Sequence, residues 1–120
     1  MDFAPFGVNP PHTHPRASEV VLVLKGRLEI GFVISNPENR LITKVIGKGD
    51  VFVVPFGLIR FQRNIKNGTV VLFVAFNCQN PGLIITANSV FDSKPDISND
   101  ALQNAFQVDQ NLISQLQTKF

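Results

Sequence analysis

The chain's 120 residues are 44% hydrophobic and only 17% charged, with 11 Phe and neither Trp nor Tyr; that balance makes one domain with a phenylalanine-rich core and argues against disorder. The net charge is +2 and the 11 basic residues are scattered from Arg16 to Lys119, so nothing tracks a phosphate backbone and nucleic-acid binding is set aside. The longest unbroken apolar run, Val70 to Phe76, has 7 residues, far fewer than the roughly 20 that cross a bilayer as a helix.

The amino end, "MDFAPFG", lacks both a basic segment and an apolar signal core, and reads as the start of a cytosolic chain or the interior of a longer one. The next stretch, "NPPHTHPRASE" (9–19), carries the chemistry. His12 and His14 are two apart, so on a strand their imidazoles leave the same face and can reach one metal ion. Glu19 has the wrong parity for the same straight strand. Pro15 breaks the run, after which "EVVLVL" can return as a partner strand with Glu19 facing the histidines. Two imidazoles and a carboxylate form a facial triad suited to manganese, iron or zinc. The plain alternative is a surface loop stiffened by the prolines of "PPHTHP".

From residue 19 to 87 short β-branched and aromatic runs predict seven strands: "EVVLVL", "RLEIGFVI", "RLITKVI", "DVFVVP", "LIRFQRN", "TVVLFVAFN" and "GLIITA". Turns fall at "NPEN", "GKGD" and "KNGT", a spacing that suits a barrel or a sandwich. "VVLVL" and "VVLFVAF" are apolar on both alternating faces, so a second sheet or a second subunit is expected over each side. Asn67 of "NGT" fits a glycosylation acceptor, and the lone Cys78 excludes an intrachain disulfide. Residues 88–120 change character. "SKPDISND" is a polar loop, and "SNDALQNAF" and "VDQNLISQLQTKF" predict two short helices, the first capped by Ser98 with Asp100 in its first turn.

These residues resemble a germin-like protein of the plant cupin superfamily. The first family motif is glycine, five residues, HxH, three or four residues, glutamate, six residues, glycine; His12, His14, Glu19 and Gly26 match it, with Phe6 where the leading glycine stands. In the second motif Gly49, Pro55, Gly57 and Asn64 match in register, and its histidine position holds Arg60. The likeness runs on through "FNCQNPG" and "LQTKF" and so covers the whole chain. It implies a mainly β cupin jelly-roll barrel over 1–87, with a loop and carboxy-terminal helices over 88–120 that clamp neighbouring subunits, often into a hexamer.

The resemblance also implies an apoplastic, nutrient-reservoir or defence-type protein holding Mn(II) through His12, His14 and Glu19, with Asn9 facing the substrate. Some family members act on oxalate or superoxide. Family precursors carry a signal peptide and an amino-terminal segment, so this chain is expected to be a truncated product with a compromised assembly. Arg60 cannot replace an imidazole, because a guanidinium has no free lone pair and carries a positive charge. Three placements follow for it: inward against Glu19 as a stand-in for the cation, near an open metal position where it attracts a small anion, or outward to solvent. Gly49 and Gly57 are expected in turns, Pro55 at a bend, and Asn64 as a backbone cap.

Overall fold

The structure is a computed structural model that describes residues 1–120. Nine strands precede three helices: β1 (Asp2–Phe3), β2 (Val8–Thr13), β3 (Glu19–Lys25), β4 (Arg27–Val33), β5 (Leu41–Gly47), β6 (Val51–Val54), β7 (Ile59–Asn64), β8 (Val70–Phe76), β9 (Ile84–Ile85), α1 (Thr86–Phe91), α2 (Asn99–Phe106) and α3 (Gln110–Gln117). The strands form two antiparallel sheets, in the orders β1-β8-β3-β6 and β5-β4-β7-β2-β9, the two-sheet arrangement expected of the barrel that the resemblance implies. The chain divides into two compact units, Met1–Ile84 and Ile85–Phe120.

Period-2 alternation builds the barrel. On β3, Glu19, Val21 and Val23 are buried while Val20 and Leu24 are exposed. Val21, Val23, Leu28, Ile30, Ile46, Val54, Val70 and Leu72 make the core between the sheets, joined by Phe3. This corrects the expectation of a phenylalanine-rich core. Phe32 and Phe52 only flank it, while Phe6, Phe56 and Phe73 are exposed, because the narrow interior is filled by branched aliphatic side chains. The β3–β4 corner needs Gly26, whose φ is +87° and whose missing Cβ would lie 2.7 Å from the Thr69 carbonyl oxygen.

Two strand expectations change. "GLIITA" pairs only at Ile84–Ile85 and then turns into α1, since its later residues lead into "ANSVF" with helical backbone hydrogen bonding. β1 and β2 are additional strands; β2 holds His12, and His14 follows one residue past its end.

Within the second unit the helices are short and stitched by their caps. Ser98 Oγ accepts from the Ala101 amide and Asp109 Oδ1 from the Leu112 amide, at 3.2 and 2.8 Å. Gln107 closes α2 in the left-handed region with φ at 58°. Leu102 and Ile113 are buried, and Phe91 stacks near Phe106 and Phe120 with centroids 5.6 and 6.0 Å away. Helices of eight residues hold through such contacts rather than through intrinsic propensity. No helix is long and apolar enough to cross a membrane.

Candidate metal centre

Strand β7 reads "IRFQRN", and its alternate residues Arg60, Gln62 and Asn64 are fully buried. Polar side chains thus occupy the parity that faces the barrel interior. Strand β2 lies beside it, with Asn9 opposite Gln62 and His12 opposite Arg60. Three steps along β2 match two along β7, so a bulge at Pro10 and Pro11 absorbs one residue. That extra residue turns Asn9 and His12 onto one face despite their odd spacing. Prolines suit the bulge because they have no N–H to lose from the ladder.

Glu19 arrives from the opposite sheet. β3 pairs with β6 and β8, not with the histidine strand, which corrects the expected hairpin. The carboxylate nevertheless reaches the same interior, at 1% exposure. Arg60, at 0% exposure, donates from Nη1 to Glu19 Oε1 at 3.0 Å, from Nε to the Leu58 carbonyl at 3.1 Å and from Nη2 to the Pro55 carbonyl at 3.2 Å. Every guanidinium nitrogen is anchored, and the outward placement of Arg60 is overturned.

The two imidazoles are also held by backbone oxygens. His12 Nδ1 lies 2.7 Å from the Pro10 carbonyl and His14 Nδ1 lies 2.6 Å from that of Gly82. A carbonyl oxygen only accepts, so both Nδ1 atoms carry hydrogen and both Nε2 atoms keep a lone pair in the neutral rings. The rings meet edge to face with centroids 5.1 Å apart, and His14 packs on Phe76 at 4.6 Å. Burial pushes the His12 imidazole below its ordinary value of 6.5; the hydrogen bond to Pro10 and the Glu19 charge oppose the shift, and His14 and Arg60 add to it.

Several site-forming groups lie outside the sequence expectation. Gln62 Oε1 accepts from Asn9 Nδ2 at 2.7 Å, while Gln62 Nε2 is buried without a partner. The position of His14 depends on the segment 77–82. There Arg16 donates to the Asn80 carbonyl at 2.7 Å, the Ser18 amide to Asn77 Oδ1 at 3.0 Å, and the Arg16 amide to the Pro81 carbonyl at 3.1 Å. The usable signal was the polar alternation of "IRFQRN", which marks an inward polar row. Asn64 is the expected backbone cap: its Nδ2 donates to the Ala4 and Gly68 carbonyls at 2.9 and 2.6 Å, and its Oδ1 accepts from the Lys66 amide at 3.0 Å. Asn67 is exposed on the turn that this side chain shapes.

The donor set does not fit a divalent cation. Glu19, the one carboxylate among the expected ligands, is paired with a guanidinium, and a cation beside it would meet Arg60 at close range. At an effective dielectric near 20 and a separation of about 4 Å, that repulsion is about 4 kcal/mol for unit charges and larger for a dication. No three His, Cys, Asp or Glu side chains converge as they would on one ion. What the structure brings together is the Arg60–Glu19 ion pair and His12, which feels both charges.

Comparison with known proteins agrees with the architecture. The cupin family profile matches residues 1–114. Germin-like protein 8-2 of Oryza sativa subsp. japonica is 57% identical over 121 aligned positions, covering 100% of this chain and 55% of that protein. Germin-like protein subfamily 1 member 10 of Arabidopsis thaliana is 54% identical over 120, covering 100% of this chain and 54% of that protein. The chain therefore spans about half the length of these relatives. A solved structure of oxalate oxidase superposes with a TM-score of 0.95 at 41% identity, over 99% of this chain and 60% of that one.

Proposed function

The chain is a germin-like member of the cupin family, and from that premise we propose that it works as a metal-free barrel, a structural or binding module rather than a redox enzyme. One observation carries this reading: the fully buried Arg60 guanidinium sits on Glu19 at 3.0 Å, where the resemblance leads one to expect Mn(II). The ion pair neutralises a carboxylate that would otherwise be buried and alone. Elemental analysis of the purified chain tests it. Manganese, iron and zinc well below one equivalent are expected, and one tightly held equivalent of manganese per chain would overturn the reading.

A second reading rests on the two imidazoles, whose Nε2 lone pairs stay available. In it the Arg60–Glu19 pair has to open, so that His12, His14 and Glu19 hold Mn(II) and the released Arg60 draws a small anion such as oxalate or superoxide toward the Asn9–Gln62 pair. His12→Ala would then abolish metal signal and activity together.

Residence in the apoplast is the localisation that the germin-like resemblance supports, and exposed Asn67 is the acceptor a glycan would use there. A glycosidase-sensitive mobility shift of the secreted chain that disappears in Asn67→Gln tests both.

A further inference from the structure

Asn67 is the only asparagine of the chain that precedes a glycine, and both residues are exposed on the turn between β7 and β8. The hydrogen bonds that shape this turn come from the buried Asn64, whose Nδ2 donates to the Gly68 carbonyl at 2.6 Å and whose Oδ1 accepts from the Lys66 amide at 3.0 Å. They leave the Asn67 carboxamide and the Gly68 amide nitrogen unengaged. Space is free as well. A Cβ on Gly68 would meet nothing within 4 Å, whereas one on Gly26 would lie 2.7 Å from the Thr69 carbonyl oxygen. Other asparagines are placed differently: Asn77 Oδ1 is held by the Ser18 amide at 3.0 Å, and Asn9, Asn36 and Asn80 precede prolines, which have no N–H.

Asparagine is thermally labile, and a following glycine, lacking a Cβ, leaves the next backbone nitrogen least shielded from the side chain. We propose that Asn67 is a self-modification site, where attack by the Gly68 nitrogen on Asn67 Cγ and ring opening by water leave aspartate or isoaspartate in place of the asparagine. The Gly68 amide gives its proton to solvent as the N–Cγ bond forms. The Cγ–Nδ2 bond then breaks, and Nδ2 leaves as ammonia with a proton taken from solvent. Water adds to one of the two carbonyls of the resulting cyclic imide. Cleavage at Cγ gives aspartate; cleavage at the main-chain carbonyl carbon gives isoaspartate, whose backbone is one methylene longer. Either product carries a negative charge at neutral pH, beside Lys66.

The isoaspartate form has the structural consequence. Its longer backbone displaces the Gly68 carbonyl from Asn64 Nδ2, the nitrogen that also holds the Ala4 carbonyl at 2.9 Å. The Gly7 amide donates to Ala4 and the Asn64 amide to Gly7, both at 2.9 Å, so the loss loosens the β1–β2 connection where it meets β7. A glycan on Nδ2 would keep that nitrogen in place, so the reaction belongs to the chain without one. It is independent of whether the interior holds metal.

Peptide mapping by mass spectrometry of the unglycosylated chain, aged at mildly alkaline pH, tests the proposal. The mass gain of exchanging NH2 for OH should accumulate at residue 67 before any other asparagine, faster as pH rises, with isoaspartate identified by enzymatic methylation. Asn67→Gln should abolish that product and Gly68→Ala should remove most of it. Hydrogen exchange at the Gly7 and Asn64 amides should quicken in the aged chain and stay unchanged in freshly prepared Asn67→Asp, which has the charge without the added methylene. An unmodified residue 67 after ageing, product forming equally fast in Gly68→Ala, or unchanged exchange in a chain rich in isoaspartate would each overturn the proposal.

Discussion

On β7 the side chains of Arg60, Gln62 and Asn64 point into the barrel, whereas across it, on β3, β6 and β8, Val20, Val51, Val53 and Phe73 point out. These two rows invert the ordinary division of polar and apolar residues, and they resolve the inversion differently. The buried polar row finds its partners within the chain, in Glu19, Asn9 and backbone carbonyls, except at Gln62 Nε2. The exposed apolar rows have no partner in the chain. Substitutions in the first region should therefore change stability and ligand preference, and those in the second should have little effect on folding.

The largest loss of stability is expected from Arg60→Ala. It leaves Glu19 buried without its partner, at about 3–5 kcal/mol. Replacing both members together with apolar residues of similar volume should cost far less. Urea denaturation of the two single variants and the double variant completes the cycle, and additive costs would contradict a coupled pair.

Arg60→His tests the same position by gain of function. Removing a repulsion of about 4 kcal/mol and adding a third imidazole should raise manganese affinity roughly a thousandfold or more. Added Mn(II) should then raise the melting temperature of the variant and leave the parent chain's unchanged. An identical response in both would show that Arg60 does not govern the site.

Asn64→Ala comes next, at about 2–3 kcal/mol, because it strips hydrogen bonds from the Ala4 and Gly68 carbonyls and the Lys66 amide. Gln62→Met should cost only about 1 kcal/mol, since its Nε2 has no partner to lose. Equal losses at the two positions would erase the distinction between a saturated and an unsaturated member of the row.

The smallest effect is with pH. Burial lowers the folded-state value of His12 beneath 6.5, so below pH 6.5 the unfolded chain takes up a proton that the folded chain resists. Its contribution is neutral above that value. Stability should fall as pH drops from 6.5 toward the lowered folded value, with a slope of at most about 1.4 kcal/mol per pH unit. His12→Gln should flatten that part of the stability profile, and an unchanged slope would assign it to another group.

Much of this was legible in the chain. The alternation of "EVVLVL" and "VVLFVAF", the turns at "GKGD" and "KNGT" and the cap at Ser98 are local signals, and each lies where its physics puts it. The same holds for the two cupin motifs and for the arginine at the histidine position. Local signals do not say which strand lies beside which. The bulge at Pro10 and Pro11, the anchoring of His14 by Gly82 and the start of α1 at Thr86 depend on contacts distant in sequence or on competition between adjacent turns.

By itself, then, the sequence determined the element types and the candidate ligands His12, His14 and Glu19, which follow from periodicity, spacing and side-chain chemistry, and its two motifs carried the resemblance to the family. Only the tertiary structure decided that Glu19 crosses from the opposite sheet to meet Arg60, and that one face of β3, β6 and β8 stays open. A carboxylate's partner and a face's covering are properties of three-dimensional proximity, and residues 41 apart become neighbours only once two sheets close around them.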